Sequence, residues 1–460
     1  MMRTSLYTPT RPNRFGAAGA GLTAERRWLP SDLAEVFCWM DAAHGSGVLN
    51  AAGDAAAHGE KVATWNSRVG VFPFTNATDA QRPTFNDDAS GANGRAYLSL
   101  DGTDDRLVFS GSFQPGTAGE MFAVVSHGRE SVADNALFGL GLSTATTPWM
   151  WHVMRADSAG GSLRHQDNAA GTLDSLAQRA RARSVHLVNF RSDGTDVSIY
   201  KSRVLAAGPA ARNWYGDITA HDRATIGGLT RTTFTLPLLG KVYELIFTDA
   251  VLDAADRSRM WHYLESKYRI RFWAAIGDSL TKRGAPGEWP NKMAPTLEST
   301  SLEAQSFVEH AEGSELTAAA LSRWTGDVKG KGYGGVAILS SINDPAGDVP
   351  TSTSTANINS IVDEALEEGL KVVLCTPTPF GNYAGWNASR QQLLDDFNAW
   401  IRAKAAGDPR IALVEAYDAM GDADPQDLLA AYDSGDGVHW TAAGDQAFAD
   451  LVESALESFV

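Results

Sequence analysis

The chain has 460 residues, 43% of them hydrophobic and 20% charged, a globular composition too long for a single apolar core. Its formal net charge of −16 excludes nucleic acid as the main partner, because phosphate neutralisation needs clustered lysine and arginine. Two cysteines, Cys38 and Cys375, exclude a disulfide framework, and no apolar stretch reaches the roughly 18 residues that a membrane span requires.

The charge is unevenly divided. Residues 1–270 hold 27 Lys and Arg against 27 Asp and Glu, whereas residues 271–460 hold 12 against 28. So sharp a break predicts a domain boundary near 270. The expected organisation is an arm at 1–27, a β-rich domain at 28–270 and a third unit at 271–460.

The arm carries Arg3, Arg11, Arg14, Arg26 and Arg27 against one acid, Glu25. It has no continuous apolar run, so no secretory signal is expected. A disordered tail and an attachment peptide both fit its composition. From 28 to about 250 short alternating segments recur, among them 97–100, 106–109, 121–125, 185–190 and 197–200. Turn dipeptides separate them: Asp101-Gly102, Asp193-Gly194 and Gly227-Gly228. This rhythm predicts an antiparallel sandwich. A helix at 252–268 closes the region, with Met260, Tyr263, Leu264 and Tyr268 at helical spacing.

After 270 apolar strands alternate with amphipathic helices. Strands are predicted at 273–276, 335–339, 371–374 and 411–414, and helices at 314–324, 356–368, 388–405 and 441–458. The Ser/Thr run 351–355 reads as a loop, and Cys375 as a buried thiol. Buried strands separated by helices indicate a doubly wound α/β sheet, whose active site lies at the carboxyl ends of the strands.

Three short motifs sit at such positions. Gly277-Asp278-Ser279-Leu280-Thr281 follows the first strand. Ser341-Ile342-Asn343-Asp344-Pro345 follows the strand at 335–339. Asp436-Gly437-Val438-His439 precedes the last helix. Each alone also describes an ordinary turn or helix cap. Together they supply a hydroxyl, an amide, and a base three residues after an acid. A serine needs a base to take its proton, and the base needs an acid to fix its tautomer. The region has two histidines, His310 and His439, so the choice of base is narrow.

The order G-D-S-L, then a glycine, then x-N-D, then D-x-x-H over 271–460 resembles the SGNH (GDSL) hydrolases. That resemblance implies a three-layer, flavodoxin-like α/β fold with Ser279, Asp436 and His439 as the triad. It also implies an oxyanion hole made by the Ser279 backbone, Gly313 and the Asn343 side chain, with no metal and no cofactor. The sequence departs from the family pattern at Ser341, where glycine is usual.

Residues 28–270 resemble the concanavalin-like or laminin-G-like jelly rolls of phage tail and surface proteins. The resemblance rests on Leu98 to Leu107, on the opening segment Leu33 to Ala42 and on the closing helix. It implies a module that binds carbohydrate or only docks. Trp149 and Trp151 could stack on sugars if exposed, and packing into the core is at least as strong an expectation for them. Asp101, Asp104 and Asp105 have calcium-binding chemistry, although D-G-x-D-D reads foremost as a plain hairpin turn and no metal is expected there.

The expectation is a serine esterase acting on acyl, foremost O-acetyl, esters of a host surface polysaccharide. It would work extracellularly on the surface of a virion or similar particle. Its partners would be that acylated polysaccharide and other virion or tail proteins, with no nucleic acid and no membrane; a homo-oligomer is left open. The rival expectation is a non-catalytic carbohydrate-binding adhesin or structural spike.

Overall fold

A computed structural model of the chain describes residues 28–459 apart from 89, 114–115, 129–133, 156–161, 175–184, 202, 283–288, 293–304, 341 and 423–426. The arm at 1–27 and the departure at Ser341 lie outside the described residues.

The first two hundred or so described residues form two antiparallel sheets, one of eight strands and one of nine. The two-residue period decides how they pack. In the strand Ala118–His127, Met121, Ala123 and Val125 face the nine-stranded sheet and join a core with Phe138, Leu140 and Met150. Phe122 and Val124 point the other way. They are covered by helix α1 (Ala254–Tyr268), through Met260, Trp261 and Leu264. This helix starts two residues later than its periodicity predicts, because the Asp253 carboxylate caps it by accepting the Asp256 N–H at 2.8 Å.

A buried ionic cluster pins α1 to the sheet beneath. Lys267 Nζ donates to Asp41 Oδ1 and to Glu244 Oε2, each at 2.7 Å. Tyr268 and Trp39 also donate to Glu244, and Arg68 donates to Asp41. Burial pushes the Glu244 carboxyl up, against the pull of Lys267.

Two residues beyond α1 a parallel sheet begins. Its strands are β1 (Arg271–Gly277), β2 (Gln305–Ala311), β3 (Gly335–Leu339), β4 (Lys371–Cys375) and β5 (Ile411–Val414). The spatial order is β2-β1-β3-β4-β5, the flavodoxin-like arrangement, with the strand order reversing between β1 and β3. Helices α2 (Thr317–Asp327), α3 (Thr351–Glu367), α4 (Ala388–Gly407) and α5 (Ala442–Glu457) flank it. Ile276, Val336 and Leu374 pack with α2 and α3, whereas Trp273, Ala275 and Val373 pack with α5. All five residues of β3 are buried, which is why it reads as an unbroken apolar run.

Two expectations are corrected and one alternative is decided. The run 351–355 is the first turn of α3, because its hydroxyls find acceptors: Ser354 donates to Asp344, Thr351 to the Leu393 carbonyl and Thr355 to that of Ser352. Helix α2 begins at Thr317 rather than 314, since the Thr317 N–H and hydroxyl are both held by Asp344 at 3.0 and 2.6 Å. For Trp151 core packing is the outcome: it is buried, stacked on Trp149 at 4.2 Å under Leu229 and Leu236. Both cysteines are buried and unpaired, and burial pushes the Cys38 thiol up to about 12.

Candidate active site

Ser279 sits in the turn that leaves β1. Gly277 makes this turn possible: a side chain there would lie 2.5 Å from the Leu339 carbonyl oxygen and 2.3 Å from the Thr281 hydroxyl. Thr281 is buried and its hydroxyl accepts the indole N–H of Trp289 at 3.2 Å. The Asp278 carbonyl accepts the N–H groups of Thr281 and Lys282. The strand thus turns sharply and leaves Ser279 partly exposed at its carboxyl end.

The base arrives on a turn just before α5. Asp433 accepts the N–H groups of Gly435 and Gly437 at 2.8 and 3.0 Å, and Thr441 caps the helix. Between these anchors Asp436 Oδ1 accepts the N–H groups of Val438 and His439 at 3.0 and 2.8 Å. Its other oxygen lies 2.6 Å from His439 Nδ1, and His439 Nε2 lies 2.9 Å from Ser279 Oγ. Partial burial pushes the Asp436 carboxyl up, but the hydrogen bonds from the His439 ring and the two amides outweigh it and hold the group below the usual carboxylate range. An ionised carboxylate only accepts. His439 Nδ1 therefore carries the proton, and Nε2 is free to accept from the Ser279 hydroxyl.

The second histidine is committed elsewhere. His310, on β2, pairs through Nε2 with the Tyr333 hydroxyl at 2.7 Å, and burial lowers its pKa.

Gly313 follows β2 and is exposed, and a side chain there would make ordinary contact with the Lys282 stem at 3.7 Å. The Glu312 N–H donates to the Gly277 carbonyl at 3.1 Å, tying this loop to the nucleophile turn. Asn343 follows β3. One of its amide hydrogens goes to the Glu315 carbonyl at 3.0 Å, which orients the side chain and leaves the second hydrogen for a ligand. Glu315 itself is fixed by a two-pronged pair with Arg323 at 2.6 and 2.7 Å. The loops after β1, β2 and β3 therefore meet where the strand order reverses. The three sequence motifs fall on this junction and on the turn before α5.

The sequence reading missed two buried carboxylates. Asp344 holds Thr317 and Ser354, fixing the Asn343 turn. Asp278 accepts the N–H groups of Leu280 and Ile342. An Asp two residues before its own hydrogen-bonded amide is an Asx-turn, a signal that was present in the sequence.

Residues 275–447 match the model of the GDSL-like Lipase/Acylhydrolase family. This stretch is a GDSL/SGNH hydrolase domain, and the chain is accordingly a hydrolase. Among solved structures, it is similar to a GDSL-like lipase from Bacteroides thetaiotaomicron, with 19% identity, 44% of this chain and 98% of that one covered, and a TM-score of 0.36. An acetyl xylan esterase from Geobacillus stearothermophilus is 21% identical, with 40% and 94% covered and a TM-score of 0.34. No curated protein matches the chain.

Proposed function

We propose that the chain is a serine esterase that removes short acyl groups, foremost O-acetyl, from a polysaccharide. The observation that carries this reading is the continuous line from Ser279 Oγ through His439 to Asp436, at 2.9 and 2.6 Å. In this mechanism His439 Nε2 takes the Ser279 proton as Oγ attacks the ester carbonyl. Asp436 stabilises the imidazolium so formed. The developing oxyanion accepts from the Ser279 N–H, the Gly313 N–H and the second amide hydrogen of Asn343. His439 returns its proton to the departing alkoxide. Water then cleaves the acyl-enzyme by the same proton relay in reverse.

The surroundings favour a short acyl group on a hydrated polymer. The side chains of Asp436 and His439 are about half exposed. The nearby loops carry the ion pair Lys282–Glu312 and the polar residues Asn382 and Asp433. A surface so open and polar suits a carbohydrate ester better than a long aliphatic chain. The two-sheet region is read as the jelly roll that docks or binds the glycan. Attachment to a virion or tail rests on the basic composition of residues 1–27 together with the jelly-roll reading of the two-sheet region.

The test is hydrolysis of p-nitrophenyl acetate, followed by a screen for acetate released from O-acetylated polysaccharides. Turnover that disappears on phosphonylation of Ser279 supports the esterase. A folded protein that binds glycan and turns over neither substrate class is an adhesin instead.

A further inference from the structure

Asp278 stands between the nucleophile and the Asn343 turn, and the mechanism above gives it no task. Its side chain is buried. One carboxylate oxygen accepts the Leu280 N–H at 3.0 Å and closes the turn that carries Ser279. The other accepts at 3.2 Å from Ile342, the residue immediately before Asn343. A single side chain thus grips two of the three loops that present oxyanion donors, one oxygen to each.

The placement is costly. Burial pushes the Asp278 carboxyl up to about 6; the two amide bonds and His439 act in the opposite direction, and Glu315 adds to the rise. A serine or asparagine would close the Leu280 turn without burying an ionisable group. What only a carboxylate of this size supplies is two acceptor oxygens on opposite sides of one carbon.

We propose that Asp278 is a positioning residue that sets the Ser279 N–H and the Asn343 amide at a fixed separation, so that both converge on one substrate oxygen. The role rests on the reading of Ser279 as nucleophile. It acts through the two donors and not on the substrate, so it should be felt in the transition state far more than in ground-state binding.

The test uses the full chain, p-nitrophenyl acetate as substrate and phenylboronic acid as a mimic of the tetrahedral intermediate. Asp278→Asn keeps one acceptor and loses the other. The expected result is a kcat lowered by about 100-fold with KM within about two-fold of wild type. Boronate affinity should weaken by a factor matching the loss in kcat/KM. A purely structural role would lower the melting temperature yet leave kcat and boronate affinity unchanged well below it, and that outcome overturns the proposal. If Asp278→Asn does not fold, Asp278→Ser is measured in the same way. Its hydroxyl can still close the Leu280 turn but cannot reach Ile342. Ser279→Ala runs alongside. If it is inactive while the Asp278 variant keeps full turnover, only the positioning role falls. If Ser279→Ala itself keeps turnover, the nucleophile reading falls and this role with it.

Discussion

Gly437 is wedged against Tyr383: a side chain at 437 would lie 2.4 Å from the Tyr383 backbone nitrogen, and Gly437 has φ of +75°. The turn that carries Asp436 and His439 therefore rests directly on the loop that leaves β4. Alanine at this position meets both a left-handed conformation and a backbone collision. Gly437→Ala is expected to push the turn away from Ser279 and lower kcat by roughly 100-fold, since displacements of about 1 Å have that effect. Unchanged kinetics in the folded variant would show that the contact positions nothing.

Ser279→Ala should abolish ester hydrolysis and leave the melting temperature close to that of wild type. Loss of a triad nucleophile typically costs on the order of 10⁴–10⁶ in kcat. Residual activity above about a tenth of wild type would remove Ser279 from the mechanism.

Asn343→Ala should lower kcat by roughly 10²–10³ with little change in KM, because the donor acts mainly in the transition state. Asn343→Asp should be at least as harmful, as its charge repels the oxyanion. If Asn343 only braces the turn through the Glu315 carbonyl, the alanine variant loses about 1 kcal/mol of stability and keeps its turnover. Measuring kcat and melting temperature on one preparation separates the two.

Asp278 also predicts a pH effect on stability. Its carboxyl is raised from 3.8 to about 6 in the folded chain, with burial as the main cause. The folded state therefore holds this proton more tightly than the unfolded one. The contribution is fully present below the unfolded value and is lost as pH rises through about 6, on the order of 3 kcal/mol. Asp278→Asn has no such dependence. The stability difference, variant minus wild type, should shift in favour of the variant between about pH 4 and pH 7. Parallel urea titrations that track each other across this range would contradict the raised carboxyl.

Lys267→Ala leaves Glu244 and Asp41 without their shared cation. Removing one partner of a buried ionic cluster typically costs about 3–5 kcal/mol. The expected outcome is a large fall in the urea midpoint, with KM for p-nitrophenyl acetate unchanged in the protein that stays folded. A midpoint within error of wild type would mean that the cluster contributes little to holding α1 in place.

The motifs holding Ser279, Asp436 and His439 were legible in the sequence because chemistry limits the side-chain types that can form such a hydrogen-bonded line, and their order resembles that of a known family. The doubly wound sheet was legible because β1, β3 and β4 are buried on both faces, and β5, despite its exposed Leu413, is apolar throughout. β2 was not: it lies at the sheet edge and carries Glu309 and His310, which break the pattern. Asp278 and Asp344 were passed over because a buried carboxylate holding backbone amides looks, in sequence, like any surface turn. The burial of Trp151 depends on Leu229 and Leu236, about eighty residues away, and no local pattern announces such a contact.

The ionic cluster around Lys267 also bears on how such a chain can be recombined. Helix α1 lies between the sandwich and the hydrolase in sequence, yet the acceptors for its buried cation, Asp41 and Glu244, are both sandwich residues. A hydrolase grafted onto a foreign module together with α1 would bring a lysine whose counter-charges stayed behind. A sandwich transferred without α1 would leave Glu244 with no cation and Asp41 with Arg68 alone, and would expose Phe122 and Val124. Shuffling can therefore cut this chain cleanly only at the left-handed Arg269 and the residue after it, with α1 inherited as part of the sandwich. Even there the exchange must preserve an apolar neighbour for Ile270 and Phe272, which share one continuous cluster with the helix.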